Sequence, residues 1–132
     1  MRTFWPACRT PSRVLVVDDE VSMRTIFGRS LRNAGFDVVV AEGGPEGLQK
    51  LREDSSIRLV LLDLNMPEMD GWMFRNVQRA DPQLRDVPTV IMTGEPITHI
   101  VSRPLEAAEY LLKPFGIDHL ISVVSTYCEP RY

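Results

Sequence analysis

Short runs of apolar, mostly β-branched residues alternate with longer segments of mixed polarity along the chain. Five such runs predict β-strands, at residues 14–17, 37–40, 59–62, 89–92 and 110–112. The intervening segments predict helices, at residues 20–34, 45–53, 72–80, 96–103 and 117–128. Because strands that meet no water on either face read as continuous apolar runs, this alternation predicts a parallel sheet with helices on both faces.

The predicted folded domain covers residues 13–128. Residues 1–12 contain two prolines and no hydrophobic periodicity, so they predict a flexible N-terminal tail, and residues 129–132 predict a short C-terminal tail. With 132 residues, of which 44% are hydrophobic, the chain suits one compact domain.

Composition and charge narrow the function classes. The net charge of -3 offers no basic surface for nucleic acid or for an anionic membrane. The two cysteines lie near opposite ends without metal-binding spacing, which favours a reducing compartment. No apolar run approaches the roughly 20 residues of a membrane span. The chain is therefore expected to be cytoplasmic and to bind neither membranes nor nucleic acid directly.

Residues with useful chemistry follow the predicted strands directly. Asp18 and Asp19 follow the first strand, and Asp63 follows the third. Thr93 ends the fourth strand, and Lys113 ends the fifth. In open parallel sheets, ligands bind outside the carboxyl ends of the strands, so these five side chains are expected at one edge.

Each of these residues also has an ordinary structural explanation. Asp18 and Asp19 could favour the start of the next helix, and Asp63 could form a turn. Thr93 could be a strand-end hydroxyl, and Lys113 a solvated surface lysine. Together they fit these explanations less well, because clustered carboxylates repel and raise one another's pKa unless a cation lies among them. Mg²⁺ or Mn²⁺, with its preference for oxygen ligands, suits such a site.

Four motifs occur in the order typical of one family. They are VLVVDDE (14–20), LVLLDLNMPEMDG (59–71), VIMTGE (90–95) and YLLKPF (110–115). This set resembles the receiver domain of two-component response regulators and is similar to the single-domain chemotaxis type. The resemblance covers about residues 13–128. It implies a flavodoxin-like, doubly wound fold, with a five-stranded parallel sheet in the order 2-1-3-4-5 between five helices in three α/β/α layers.

The resemblance also implies a phosphoryl-transfer site. Asp63 would be the phosphoacceptor, which attacks a phosphoryl group from a sensor histidine kinase, a phosphotransfer protein or a small phosphodonor. Asp18, Asp19, Asp63 and the backbone carbonyl of Asn65 would hold the metal ion. Lys113 would contact a phosphoryl oxygen.

Further positions are implied to control the output. Thr93 would also contact the phosphoryl group, and its movement would let Tyr110 turn inward. This switch would change the face formed by the predicted fourth helix, the fifth strand and the last helix. That face is a candidate surface for an unknown downstream protein or for a homodimer. Asn65 and Glu95 occupy positions that tune hydrolysis of the aspartyl phosphate, and we expect a short-lived phosphorylation.

Several positions depart from the family pattern. Pro104 falls where the predicted fourth helix should run or end, and Glu106 occupies the usual position of a glycine. The region 96–109 is therefore expected to be short or reshaped. Arg75 and Gln78 stand where the third helix usually has apolar residues, so this helix is expected to pack in a rotated way.

Three functions remain open. The first is a signalling receiver, which is not a turnover enzyme. The alternative is a pseudo-receiver that binds a partner without phosphorylation, because the region 96–109 is altered. A haloacid-dehalogenase-type phosphatase fits poorly, since it needs a second carboxyl group two residues after the nucleophile, where this chain has Asn65.

Overall fold

The computed structural model describes residues 12–95 and 107–130. In these ranges the chain forms five strands and four helices: β1 (Arg13–Val17), α1 (Val21–Asn33), β2 (Asp37–Ala41), α2 (Gly44–Glu53), β3 (Ile57–Asp63), α3 (Gly71–Ala80), β4 (Thr89–Thr93), β5 (Glu109–Leu112) and α4 (Ile117–Tyr127). Each predicted element within these ranges is confirmed to within two residues. The helix predicted at 96–103 lies outside the described residues, and the domain limits of 13 and 128 stay a prediction.

The strands form one parallel sheet in the order β2-β1-β3-β4-β5, which confirms the predicted topology. β1 and β3 are neighbours at its centre. Val17 of β1 pairs with Leu62 of β3. Asp18 and Asp63 therefore follow at adjacent strand ends, and the sheet order brings together two carboxylates that are 45 positions apart in the chain.

Two hydrophobic clusters cover the two faces of the sheet. Successive strand residues point to opposite faces, so Val14 and Val16 of β1 pack with α1 and α4, whereas Leu15 and Val17 pack with α2 and α3. Each large apolar side chain removed from water in this way contributes about 1.5 to 3 kcal/mol. The burial of both faces explains why the strands read as continuous apolar runs.

A buried polar network connects α3 to β4. Gln78 is 0% exposed, and its Nε2 donates to the carbonyl oxygens of Leu84 (3.2 Å) and Val87 (3.0 Å). Its Oε1 accepts from Arg75 Nη1 (2.7 Å) and from the Thr89 hydroxyl (2.9 Å). Arg75 and Gln78, which depart from the family pattern, are thus buried, and Gln78 donates to the backbone of the loop that leads into β4.

We predict that Gln78→Ala lowers the free energy of unfolding by about 2 to 4 kcal/mol, because it removes four hydrogen bonds from a buried network. Urea denaturation measures this. Gln83→Ala, at an exposed position of the following loop, is the control and should change stability by less than about 0.5 kcal/mol. A similarly small effect of Gln78→Ala would contradict a stabilising role for the network.

Candidate acidic metal and phosphoryl site

The turn between β1 and α1 carries the first two carboxylates. Asp18 is 0% exposed, whereas Asp19 is exposed. Asp18 Oδ1 accepts from the N–H of Glu20 (2.9 Å), and the Asp18 carbonyl accepts from Arg24 Nη1 (2.8 Å). α1 begins after Glu20 without a side-chain cap. The predicted side-chain cap is therefore absent at Glu20, and the helix-dipole explanation of Asp18, Asp19 and Glu20 stays a prediction.

Asp63 completes an acidic cluster. It ends β3 with 5% exposure, and one carboxylate oxygen from each of Asp18, Asp19 and Asp63 lies within 4.8 Å of the others. Asp18 Oδ2 is buried and, within residues 12–95 and 107–130, has no hydrogen-bond partner. Burying an unpaired carboxylate oxygen is costly, and a cation would offset this cost. The all-oxygen donor set fits Mg²⁺, and the family resemblance adds the backbone carbonyl of Asn65 to it.

The pKa values reflect this crowding. Burial, followed by the negative charge of Asp18, raises the pKa of Asp63 to about 6. The ammonium of Lys113 and the N–H of Asn65 act in the opposite direction. Burial is also the main cause that raises the pKa of Asp18. For both carboxylates, the hydrogen bonds and the positive charge of Lys113 therefore stabilise the ionised form less than burial destabilises it.

Lys113 supplies the positive charge nearest to Asp63. Its Nζ lies 3.4 Å from Asp63 Oδ1, and the side chain is half-buried. Its backbone N–H donates to the carbonyl of Thr93 (2.7 Å), so the parallel ladder extends one step past β5 and aligns the two strand ends. The peptide between Lys113 and Pro114 is cis.

The predicted switch and tuning residues surround this core of the site. Thr93 is fully buried, and its Oγ1 accepts from the N–H of Glu95 (2.9 Å). Tyr110 pairs in register with Ile91 and packs, half-buried, against the cluster on the α2 and α3 face. Asn65 is exposed, two residues after Asp63. The structure thus brings the acids and the lysine into contact and places Thr93 at the neighbouring strand end.

The loop between β3 and α3 depends on Gly71 and Asp70. The N–H of Gly71 donates to the Leu64 carbonyl (2.8 Å), and a Cβ at Gly71 would lie 3.0 Å from Leu64 Cα. Only glycine allows the loop to close this tightly. The Asp70 side chain then caps α3 by accepting from the N–H of Met73 (2.9 Å).

Two contacts near the site had no signal in the sequence. Arg24 reaches back from α1 to the Asp18 carbonyl, which is six residues earlier. Phe27 of α1 stacks on Phe115, with ring centroids 5.5 Å apart, and so anchors the loop that follows Lys113. Both depend on where α1 lies against the sheet, which neither motif spacing nor periodicity specifies.

Comparison with known proteins identifies the family. The family model described as the response regulator receiver domain matches residues 14–125. The chain belongs to this family. Receiver domains are signalling domains of two-component systems rather than turnover enzymes, and they bind Mg²⁺ at an acidic pocket such as the Asp18, Asp19 and Asp63 cluster.

Individual receivers agree with this assignment. Chemotaxis protein CheY1 of Helicobacter pylori is 36% identical over 106 residues, which cover 78% of this chain and 86% of that protein. The crystal structure of chemotaxis response regulator CheY4 of Vibrio cholerae aligns with a TM-score of 0.79 and 30% identity, covering 89% of this chain and 98% of that one. A CpxR homolog of Haemophilus influenzae, a transcriptional regulatory protein, is 37% identical, but the match covers only 48% of it.

No helix in the described parts of the receiver has the length and hydrophobicity that crossing a membrane requires.

We predict that Asp63 makes the metal-free receiver less stable as the pH rises. Its pKa is about 6 in the fold against an ordinary value of 3.8, so ionisation opposes folding. The penalty is small at and below about pH 4, develops mainly between pH 4 and pH 6, and is nearly complete by about pH 7. With EDTA present, Asp63→Asn should therefore raise the free energy of unfolding by about 2 to 3 kcal/mol at pH 8, and change it little at pH 4.

Urea denaturation at both pH values measures the effect. Asp86→Asn, which changes an exposed aspartate of the loop before β4, is the matched control and should show no such difference between the two pH values. An equal effect of Asp63→Asn at pH 4 and pH 8 would rule out a raised pKa for Asp63.

Proposed function

We propose that this receiver accepts a phosphoryl group on Asp63 from a sensor histidine kinase or a phosphotransfer protein, with Mg²⁺ as the cofactor. One observation carries the proposal. The buried Asp63 lies within reach of Asp18, whose Oδ2 has no hydrogen-bond partner in the described part of the chain, and of the Lys113 ammonium at 3.4 Å. A nucleophile, a cation site and a fixed positive charge therefore meet at one sheet edge.

Each side chain then has a defined task. With a pKa of about 6, Asp63 is mostly ionised at neutral pH, and its carboxylate oxygen attacks phosphorus as the bond to the donor's leaving group breaks. The Lys113 ammonium, already 3.4 Å from Asp63 Oδ1, moves onto a phosphoryl oxygen. Asp18, Asp19, Asp63 and the Asn65 carbonyl hold Mg²⁺, which supplies charge neutralisation for the phosphoryl oxygens in a loose, in-line transfer.

The output begins at Thr93. Its hydroxyl oxygen accepts the N–H of Glu95, so turning this hydroxyl toward a phosphoryl group changes the loop after β4. Tyr110 is half-buried on β5 and can fill the space that Thr93 leaves. The change reaches the face that includes β5 and α4, where a downstream protein or a second copy binds. The predicted fourth helix, at residues 96–103, lies outside the described residues.

We predict a single phosphoryl adduct in the intact mass of the protein after incubation with Mg²⁺ and acetyl phosphate. The adduct should disappear in Asp63→Asn, which lacks the nucleophile, and in the presence of EDTA, which removes the metal. Asp86→Asn should become phosphorylated like the native protein, because Asp86 is an exposed carboxylate away from the cluster.

Two outcomes would count against the proposal. An adduct that persists in Asp63→Asn would assign phosphorylation to another residue. No adduct under any condition, in protein shown to be folded by circular dichroism, would favour the pseudo-receiver that binds its partner without phosphorylation.

We predict further that the phosphorylation is short-lived and that Asn65 and Glu95 set its lifetime, since both side chains can approach a water that attacks the aspartyl phosphate. After removal of acetyl phosphate, the adduct should decay well within hours, and Asn65→Ala and Glu95→Ala should each change the decay rate several-fold. Asn76→Ala, at an exposed position of α3, is the control. An adduct that is stable for many hours would refute a tuning role that favours hydrolysis.

A further inference from the structure

A groove runs between α1 and the edge strand β2. Its volume is about 230 Å³. Its lining consists of three arginines, one threonine and two valines: Val21, Arg24, Thr25, Arg29, Arg32 and Val40. No acidic residue contributes to the lining, although acidic residues outnumber basic ones in the whole chain. The groove is therefore strongly positive in a protein whose net charge is -3.

The three guanidinium groups have no acidic partner in the described ranges. Arg24 Nη1 donates to the Asp18 carbonyl (2.8 Å), and Arg32 Nη2 donates to the Val38 carbonyl (3.2 Å). Arg29 is exposed, and no carboxylate within residues 12–95 and 107–130 forms an ion pair with any of the three. The two backbone contacts hold two of the cations in place and leave other N–H groups available to a ligand.

Gly28 makes room for this arrangement. It is buried in the interior of α1, where glycine is disfavoured relative to alanine. A Cβ at this position would lie 3.3 Å from Arg32 Nη1 and 3.7 Å from Val40 Cγ1. Without a side chain at position 28, the Arg32 guanidinium can lie against the helix and close one wall of the groove.

We propose that this groove is a binding site for a small ligand that carries two or more phosphate groups. Guanidinium forks match phosphate oxygens in pairs, and the Thr25 hydroxyl adds a further donor. The volume lies below the roughly 300 to 1,000 Å³ of pockets for drug-sized ligands, and two valines offer little apolar surface. A compact polyanion fits these features better than a long acidic segment of another protein.

The site is separate from the acidic cluster and does not depend on phosphorylation of Asp63. Without a metal ion, the carboxylates of Asp18, Asp19 and Asp63 repel anions. Binding in the presence of EDTA therefore does not involve a metal ion held by the acidic cluster. If the groove does not bind pyrophosphate, the proposal that Asp63 accepts a phosphoryl group is unaffected. If Asp63 is not phosphorylated, the proposal for the groove is unaffected.

The test is a titration of the ¹⁵N-labelled full chain with pyrophosphate, in EDTA and low salt, followed by amide chemical shifts. Saturable shifts are expected in α1 and β2, and they should weaken as salt screens the charges. Arg29→Gln should lower the affinity about tenfold, because it removes one charge-assisted contact, and Arg29→Lys should recover part of the loss. Arg85→Gln, at an exposed position outside the groove, should bind like the native protein.

Arg24 is left unchanged in the test, because it also holds the Asp18 carbonyl. Three outcomes would overturn the proposal: no saturable shifts, equal affinity of native protein and Arg29→Gln, or equal response to pyrophosphate and sulfate, which would indicate a non-specific ionic effect. Binding of hexaglutamate without binding of pyrophosphate would overturn it in favour of a protein-docking surface.

Discussion

The burial of two neighbouring carboxylates, Asp18 and Asp63, is the constraint on which the rest of this site depends. The register between β1 and β3 forces the two carboxylates together, and burial of both strand ends keeps water from screening their charges. The fold offsets this cost with the N–H of Glu20, which donates to Asp18, and with the Lys113 ammonium 3.4 Å from Asp63. One Asp18 oxygen is still left without a partner among the described residues. A cation in the cluster would offset the remaining negative charge.

The order of the strands in the sheet places the positive charge of Lys113 next to the carboxylate of Asp63. Lys113 follows β5, two strands away from β3, and its backbone N–H donates to the carbonyl of Thr93 at the end of β4. The Asp63 carboxylate is therefore linked to the end of β5 by the Lys113 side chain, and the Lys113 backbone in turn links this strand end to Thr93. Tyr110 lies on β5, directly before this lysine segment, so the proposed phosphoryl site and the proposed switch residue are linked by one short strand.

α1 connects the two charged surfaces of the molecule. At its start, Arg24 holds the turn that carries Asp18, and Phe27 stacks on Phe115 beside the lysine loop. Farther along α1, its arginines line the groove between this helix and β2. On the opposite face of the sheet, the network around Gln78 fixes α3 and the entry to β4. The acidic cluster is thus held by rigid elements on both faces, which limits how far its carboxylates can move apart to relieve their repulsion.

The sequence by itself determined the strands, their parallel order and the residues at their carboxyl ends. Strands buried on both faces must be continuously apolar, so the charged residues Asp18 and Asp63 at their ends stood out in the sequence. The resemblance of four ordered motifs to receiver domains implied the order of the strands. Only the tertiary structure decided which polar atoms were satisfied. Gln78 looked like a departure from the family pattern, yet it pairs with carbonyls and a hydroxyl that come from later in the chain. Among the described residues, the Asp18 oxygen without a hydrogen bond and the three arginines without acidic partners likewise depend on side-chain directions and long-range packing. No local pattern encodes these, because they arise where separate elements meet.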